Sequence, residues 1–183
     1  MLLGFALLYV GAVLFLNGIW LMGEISDNEI AVINFLVGGI TLVIALYLAF
    51  GPRADANTIK AAALLLLFTF TYLWVAYNRY SGADGRGLGW FSLFVAITSV
   101  PVAAETLSTA KTTWDYWFGL CWVAWAVVWF MFFLLLVRKM NIARLTGAVT
   151  TVVGVFTGWL PGYLLLVGVM GPAATVTQTA AGH

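Results

Sequence analysis

Charge is what this sequence has least of. Asp, Glu, Lys and Arg make up 8% of its 183 residues, against roughly 25% in a soluble domain. A water-soluble enzyme is excluded on that ground, and so is a disordered chain. A net charge of +1 implies no polyanionic partner such as nucleic acid. Cys121 is the only cysteine, which excludes an intrachain disulfide and a cysteine metal cluster. It lies in an apolar run and reads as a small buried thiol. The single histidine is the last residue, His183, and reads as a tail residue, not as a proton relay. No phosphate loop, zinc spacing or nucleophile elbow occurs. The run Gly85-Arg86-Gly87-Leu88-Gly89 is glycine-rich but has neither the phosphate-loop spacing nor its lysine. No acid, base or nucleophile constellation sits in the apolar runs, so no enzyme, cofactor or metal is expected.

Apolar residues fill the space that charge leaves, at 63% of the chain. They fall into six runs, at about 2–22, 30–50, 59–77, 88–104, 116–137 and 142–169. Each is long enough to cross a bilayer as a helix. Only helices and closed barrels satisfy their backbone groups in lipid, and runs this long exclude the short alternating strands of a barrel. The expected fold is therefore an all-α integral membrane protein, a six-transmembrane-helix bundle over residues 1–170, followed by a flexible tail over 171–183. Met1-Leu2-Leu3-Gly4 lacks a basic segment and a cleavage pattern, so the first run reads as a retained span. Arg79, Arg86, Arg138, Lys139 and Arg144 fall in odd-numbered loops, and Arg53, Lys60 and Lys111 in even-numbered ones. The excess predicts that the odd loops are cytoplasmic and both termini extracytoplasmic.

No charged residue lies deep inside a span, which argues against a proton pump or an ion-coupled carrier. Neutral polar residues are present instead, among them Asn17, Asn34, Thr41, Thr69, Thr71, Thr98, Ser99, Thr150, Thr151 and Thr157. They either tie helices together or line a passage for a neutral polar solute.

Several helices carry one well-aligned face. In the fifth span, Trp114, Phe118, Trp122, Trp125 and Trp129 recur at helical spacing and fall within about 80° of one another. Interfacial belts place tryptophan only at span ends, and Trp122 and Trp125 are too central for that. Phe70, Trp74 and Tyr77 share a face of the third span, and Leu3, Leu7, Val10, Leu14 and Asn17 a face of the first. Periodicity alone leaves packing, lipid contact and pore lining open. Gly4, Gly11 and Gly18 recur every seventh residue, and Gly147, Gly154, Gly158 and Gly162 share a face of the sixth span. Both sets read as close-approach surfaces, within or between subunits. Phe70-Thr71 and Phe156-Thr157, each followed by aromatics, form a faint internal repeat between the third and sixth spans.

Motifs in every span resemble the AmiS/UreI family. They are Leu8-Tyr9-Val10-Gly11 with Asn17-Gly18, Asn34-Phe35-Leu36-Val37-Gly38-Gly39, and Phe70-Thr71-Tyr72-Leu73-Trp74 with Asn78. Further along come Trp90-Phe91-Ser92-Leu93-Phe94-Val95-Ala96-Ile97, Trp122-Val123-Ala124-Trp125 with Trp129, and Thr157-Gly158-Trp159-Leu160-Pro161. The resemblance implies a channel for urea or short-chain amides such as acetamide, in the bacterial cytoplasmic (inner) membrane. It implies one pore per protomer, a homo-hexamer with lipid at its centre, and a functional link to a cytoplasmic amidase or urease. It places the constrictions on Leu3, Leu7, Val10, Leu14, Phe70, Trp74, Trp122, Trp125 and Trp129. With Asn17, Tyr77 and Phe118, which share those faces, these residues form the expected pore lining, where Asn17, hydroxyls and indole N–H groups replace part of the solute's water. Two departures bear on gating. Acid-gated members carry a long second loop with histidines, whereas residues 51–58 here hold none. Their glutamate in the sixth span aligns near Val153. The expectation is a passive channel without acid gating, nearer the amide-linked branch. Two alternatives are a proton- or ion-coupled amide transporter and a membrane scaffold for the cytoplasmic enzyme.

Overall fold

A backbone that finds no water closes its hydrogen bonds within its own helix, and all six runs do so. The computed structural model describes residues 1–170; the expected tail 171–183, His183 included, lies outside the described residues. The elements are α1 (Leu2–Leu21), α2 (Asp27–Phe50), α3 (Ala56–Ser81), α4 (Arg86–Ser108) and α5 (Thr113–Leu136). The sixth span is built from α6 (Ala143–Val153), a π-helical segment (Gly154–Trp159) and α7 (Leu160–Leu166). Six spans are thus long and apolar enough to cross a membrane, and no strand occurs among the described residues.

Helix starts reach beyond the apolar runs because polar residues cap them. The Asp55 carboxylate accepts from the Thr58 N–H at 2.7 Å, and the Thr58 hydroxyl accepts from the Asp55 N–H at 2.8 Å. Thr112 and Asp115 form the same reciprocal box at the start of α5. Each box satisfies two otherwise orphaned donors. Helix α4 runs to Ser108 with Pro101 inside it, beyond the expected end at 104.

The sixth span departs from one continuous helix, for a chemical reason. In a π register each carbonyl accepts from the fifth residue on, as Val155 does from Leu160. The next such donor is Pro161, which has no N–H. The Phe156 carbonyl accepts instead from the Trp117 indole of α5 at 3.0 Å.

Helices pack in pairs: α1 against the sixth span, α2 against α3, and α4 against α5. The two glycine faces of α1 and the sixth span are one interface within the protomer. A Cβ on Gly11 would stand 2.7 Å from the Trp159 Cα, one on Gly147 2.7 Å from the Gly18 oxygen, and one on Gly162 2.5 Å from the Leu8 nitrogen. Backbone meets backbone there, and only glycine fits. Buried polar groups join further pairs. The Asn34 amide donates to the Asn17 oxygen at 2.6 Å and accepts from the Asn17 amide at 3.1 Å. Thr69 donates to Thr41 at 2.9 Å, between α3 and α2.

Helices α1, α3 and α5 face one another without touching through their backbones. Among the described residues, no Cα of any of the three comes within 8 Å of another's. Side chains alone occupy the space between them.

Candidate functional site

That space holds two cavities, one at each end. At the end bearing the N-terminus, a cavity of about 180 Å³ is walled by Leu3, Ala6, Leu7 and Val10 of α1, Ala61, Leu64, Leu65 and Phe68 of α3, and Trp122 and Trp125 of α5. At the opposite end, a cavity of about 30 Å³ is walled by Trp20, Leu21, Val75, Asn78, Arg79, Gly85, Leu88, Phe132, Leu135 and Leu136. The same three helices contribute to both. Between the cavities lies a closed layer of Leu14, Tyr72, Val128 and Trp129, none more than 2% exposed. No charged side chain lies in that layer or on the wall of the larger cavity.

Aromatic packing sets the shape of the layer. The Phe68 ring stands edge-on to three tryptophans, with centroids 5.9 Å from Trp122, 4.8 Å from Trp125 and 4.9 Å from Trp129. Trp122 and Trp125 are themselves edge-to-face at 4.8 Å. Such contacts hold rings at defined angles. Two of the indole N–H groups are already spent on threonines of neighbouring helices. Trp125 donates to the Thr157 hydroxyl at 2.8 Å, and Trp129 donates to the Thr71 hydroxyl at 3.1 Å. These are the two threonines of the Phe-Thr repeat, and each passes its own proton back to a helix carbonyl, Thr71 to Leu67 and Thr157 to Val153. The expected gift of indole N–H groups to a solute is therefore withdrawn for Trp125 and Trp129.

The expected lining residues divide into four groups. Leu3, Leu7, Val10, Trp122 and Trp125 wall the larger cavity, and Leu14 and Trp129 belong to the closed layer. Phe118 packs half-buried against the core beside them and is not on the cavity wall. The other four are elsewhere. Asn17 spends its amide on Asn34. Phe70 and Trp74 lie beside Phe91 of α4, at 6.5 and 5.8 Å, and are 46% and 37% exposed. Tyr77 lies in an outward groove between α2 and α3. The inner face of α3 is instead Phe68, Tyr72, Val75 and Asn78, rotated by roughly 200° from the expected one. Helix α3 carries aromatics at 68, 70, 72, 74, 77 and 80, so an aromatic stripe alone fits either side. The useful signal was mixed: an inner stripe ending in an amide, with buried Thr71 and Thr69 next to it.

The ends of the bundle hold the charges. Asp27 accepts from the Trp20 indole at 2.7 Å and from Arg79 at 3.1 Å, and the Arg79 guanidinium lies over the Trp20 ring, 5.2 Å from its centroid. Lys60 pairs with Glu105 at the N-terminal end, at 2.6 Å. Hydrogen bonds from the Thr58 backbone and hydroxyl hold the Asp55 carboxyl below the usual range. The Arg86 backbone N–H does the same for Asp84, assisted by the Arg86 and Lys139 charges.

Residues 2–169 match the model of the AmiS/UreI family transporters. The chain belongs to the AmiS/UreI family. It is 44% identical over 166 residues to a putative amidate substrates transporter protein of Mycolicibacterium smegmatis, a match covering 90% of this chain and 76% of that one. It is 34% identical over 190 aligned positions to the acid-activated urea channel of Helicobacter pylori, covering 90% and 97%. The crystal structure of the urea channel from Helicobacter pylori superposes with a TM-score of 0.80 at 36% identity, covering 91% of this chain and 98% of that one. Together with the six spans, this makes the AmiS/UreI chain a multi-pass inner-membrane protein of urea or amide transport.

Proposed function

We propose that the protein is a passive channel for urea or short-chain amides such as acetamide, with one path through each protomer between α1, α3 and α5. One observation carries this reading. Two cavities open at opposite ends of the same three helices and are separated by a thin closed layer of apolar side chains. A flat, neutral solute crosses bare lipid only by giving up its hydrogen bonds. Aromatic and aliphatic walls favour a thin, neutral molecule and exclude ions by desolvation. In the layer, the Tyr72 hydroxyl has no partner among the described residues and is free to bond a passing solute.

The channel has no acid gate on this reading. The connection between α2 and α3 is residues 51–55, and Val153 stands in the sixth span. The alignment with the acid-activated channel is 190 positions long but takes in 90% of 183 residues, so that relative carries segments this chain lacks. Orientation follows the loop cations, with the Asn78–Arg79 end in the cytoplasm. A ring of six copies around lipid, as the resemblance implies, would cover the apolar outer faces of α2, α3 and α4. A cytoplasmic amide- or urea-hydrolysing enzyme belongs downstream, because a passive path runs only while solute is consumed inside.

The test is stopped-flow swelling of proteoliposomes in urea and in acetamide, at pH 5 and 7.5, with and without a proton gradient. Fast entry, equal at both pH values and indifferent to the gradient, is expected. Entry no faster than into empty liposomes would leave the scaffold reading, and entry that follows the gradient would leave coupled transport.

A further inference from the structure

The small cavity beside Asn78 is unlike the rest of the passage. Asn78 is 2% exposed, yet its amide nitrogen has no hydrogen-bond partner among the described residues. The Nε of Arg79, the next residue, is also buried and unpartnered. Both side chains wall the same space. A buried donor left unmade is costly, and such groups are rare. Two in one cavity are two donors without an acceptor.

Their surroundings fix them in place. The Asn78 nitrogen faces Gly85, where a Cβ would stand 3.9 Å away. Arg79 is held from behind by Asp27 and from beside by the Trp20 ring, so its Nη1 is spent while its Nε remains. The other walls, Val75, Leu88, Phe132 and Leu136, offer no acceptor from their side chains. The room, about 30 Å³, suits one or two waters, or the oxygen end of a molecule whose body still lies in the closed layer.

We propose that Asn78 and Arg79 form a carbonyl-binding subsite at the inner end of the passage, which takes the oxygen of an amide or urea as it leaves the apolar layer. The inference rests on the channel reading and adds a place where the solute regains hydrogen bonds before it meets bulk water. It also gives a selectivity that walls cannot: a planar molecule of the same shape with a poor acceptor gains nothing there.

The test compares acetamide with thioacetamide, whose sulfur is a weak acceptor, in proteoliposome swelling. For wild type, acetamide entry exceeds thioacetamide entry. Asn78→Leu keeps the volume and removes the donor. Acetamide entry is expected to fall about fivefold, the worth of one ordinary hydrogen bond, while thioacetamide entry changes less than twofold. Arg79→Lys keeps the charge that pairs with Asp27 but removes Nε, and shifts the same ratio in the same direction. It carries the test alone if Asn78→Leu fails to run as an assembled species on size exclusion. Loss of both solutes in equal proportion, or an unchanged ratio in the variants, overturns the subsite and leaves the channel standing. Wild-type entry at the rate of empty liposomes overturns the channel reading itself.

Discussion

Replacing Phe68 or Phe70 by leucine separates the inner face of α3 from its outer face. The two residues are two positions apart in sequence, about 200° around the helix, and so lie on opposite sides. Phe68 makes edge-to-face contacts with three tryptophans at 5.9, 4.8 and 4.9 Å, each worth about 0.5–1.5 kcal/mol beyond burial. Phe68→Leu therefore costs about 1.5–4.5 kcal/mol of stability. Phe70 has one tilted neighbour, Phe91, at 6.5 Å, and Phe70→Leu costs about 1 kcal/mol or less. Flux should diverge as well. Leucine at 68 frees the tryptophan edges and widens the larger cavity at its narrow end. Relieving a steric barrier of about 1–3 kcal/mol raises entry of a bulkier amide such as isobutyramide by roughly 5- to 150-fold relative to acetamide. At 70 that ratio should stay at the wild-type value. The assay is stopped-flow swelling with paired solutes, beside thermal melting followed by size exclusion. If Phe70→Leu moves the solute ratio and Phe68→Leu does not, the passage does not run between α1, α3 and α5.

Asn17→Leu breaks both amide bonds to Asn34 and should lower the melting temperature by the equivalent of about 1–3 kcal/mol, with the urea-to-acetamide ratio unchanged in swelling assays. Gly11→Ala places a methyl 2.7 Å from the Trp159 Cα and 2.8 Å from the Gly158 carbonyl carbon, an overpacking of about 1–3 kcal/mol or more. Gly39→Ala, with nothing within 4 Å, should melt at or above the wild-type temperature, since alanine favours a helix by about 1 kcal/mol. Asp55 and Asp84 are held below the usual carboxylate range in the folded protein, so what they add to stability is present above the ordinary carboxylate pKa and lost only as pH falls through their lowered values. Melting temperatures and urea entry should therefore match at pH 5 and pH 7.5, and a drop in either at pH 5 would point to an acid-sensitive group elsewhere.

Span number and helical class were legible because backbone hydrogen bonding in lipid admits few solutions, and six apolar runs became six spans. The glycine spacing of α1 and the sixth span likewise carried its own geometry, since only close backbone approach explains it. The inner face of α3 was not legible. In a membrane the outside is as apolar as the core, so hydrophobic periodicity loses the contrast that marks a buried face in water. Phe70 and Trp74 are as well suited to the protomer surface as Phe68 is to its interior. The role of Asn17 was hidden for a related reason: an amide in an apolar span reads equally as solute contact or helix tie, and only the facing Asn34 decides. The π segment was invisible as periodicity, though Pro161 and a tryptophan able to serve the freed carbonyl were both in the sequence.

The satisfied tryptophans bear on what kind of conduction this passage supports. Had the indole N–H groups been left without partners, a chain of polar sites would run through the layer and hold water. With Trp125 and Trp129 bound to Thr157 and Thr71, the polar atom of the closed layer left without a partner among the described residues is the Tyr72 hydroxyl. One hydroxyl does not make a proton wire, and among the described residues no carboxylate or histidine lines either cavity. A charged species entering the layer faces a desolvation cost of several kcal/mol, whereas a neutral amide gives up hydrogen bonds worth about 1–3 kcal/mol on the scale set by protein mutants. The difference favours amide over ion by orders of magnitude in rate. Swelling in acetamide should accordingly be the same with and without a proton ionophore, and proton leak through the protein should stay at the level of empty liposomes. A leak that rises with protein content and is abolished by Tyr72→Phe would mean that water threads the layer after all.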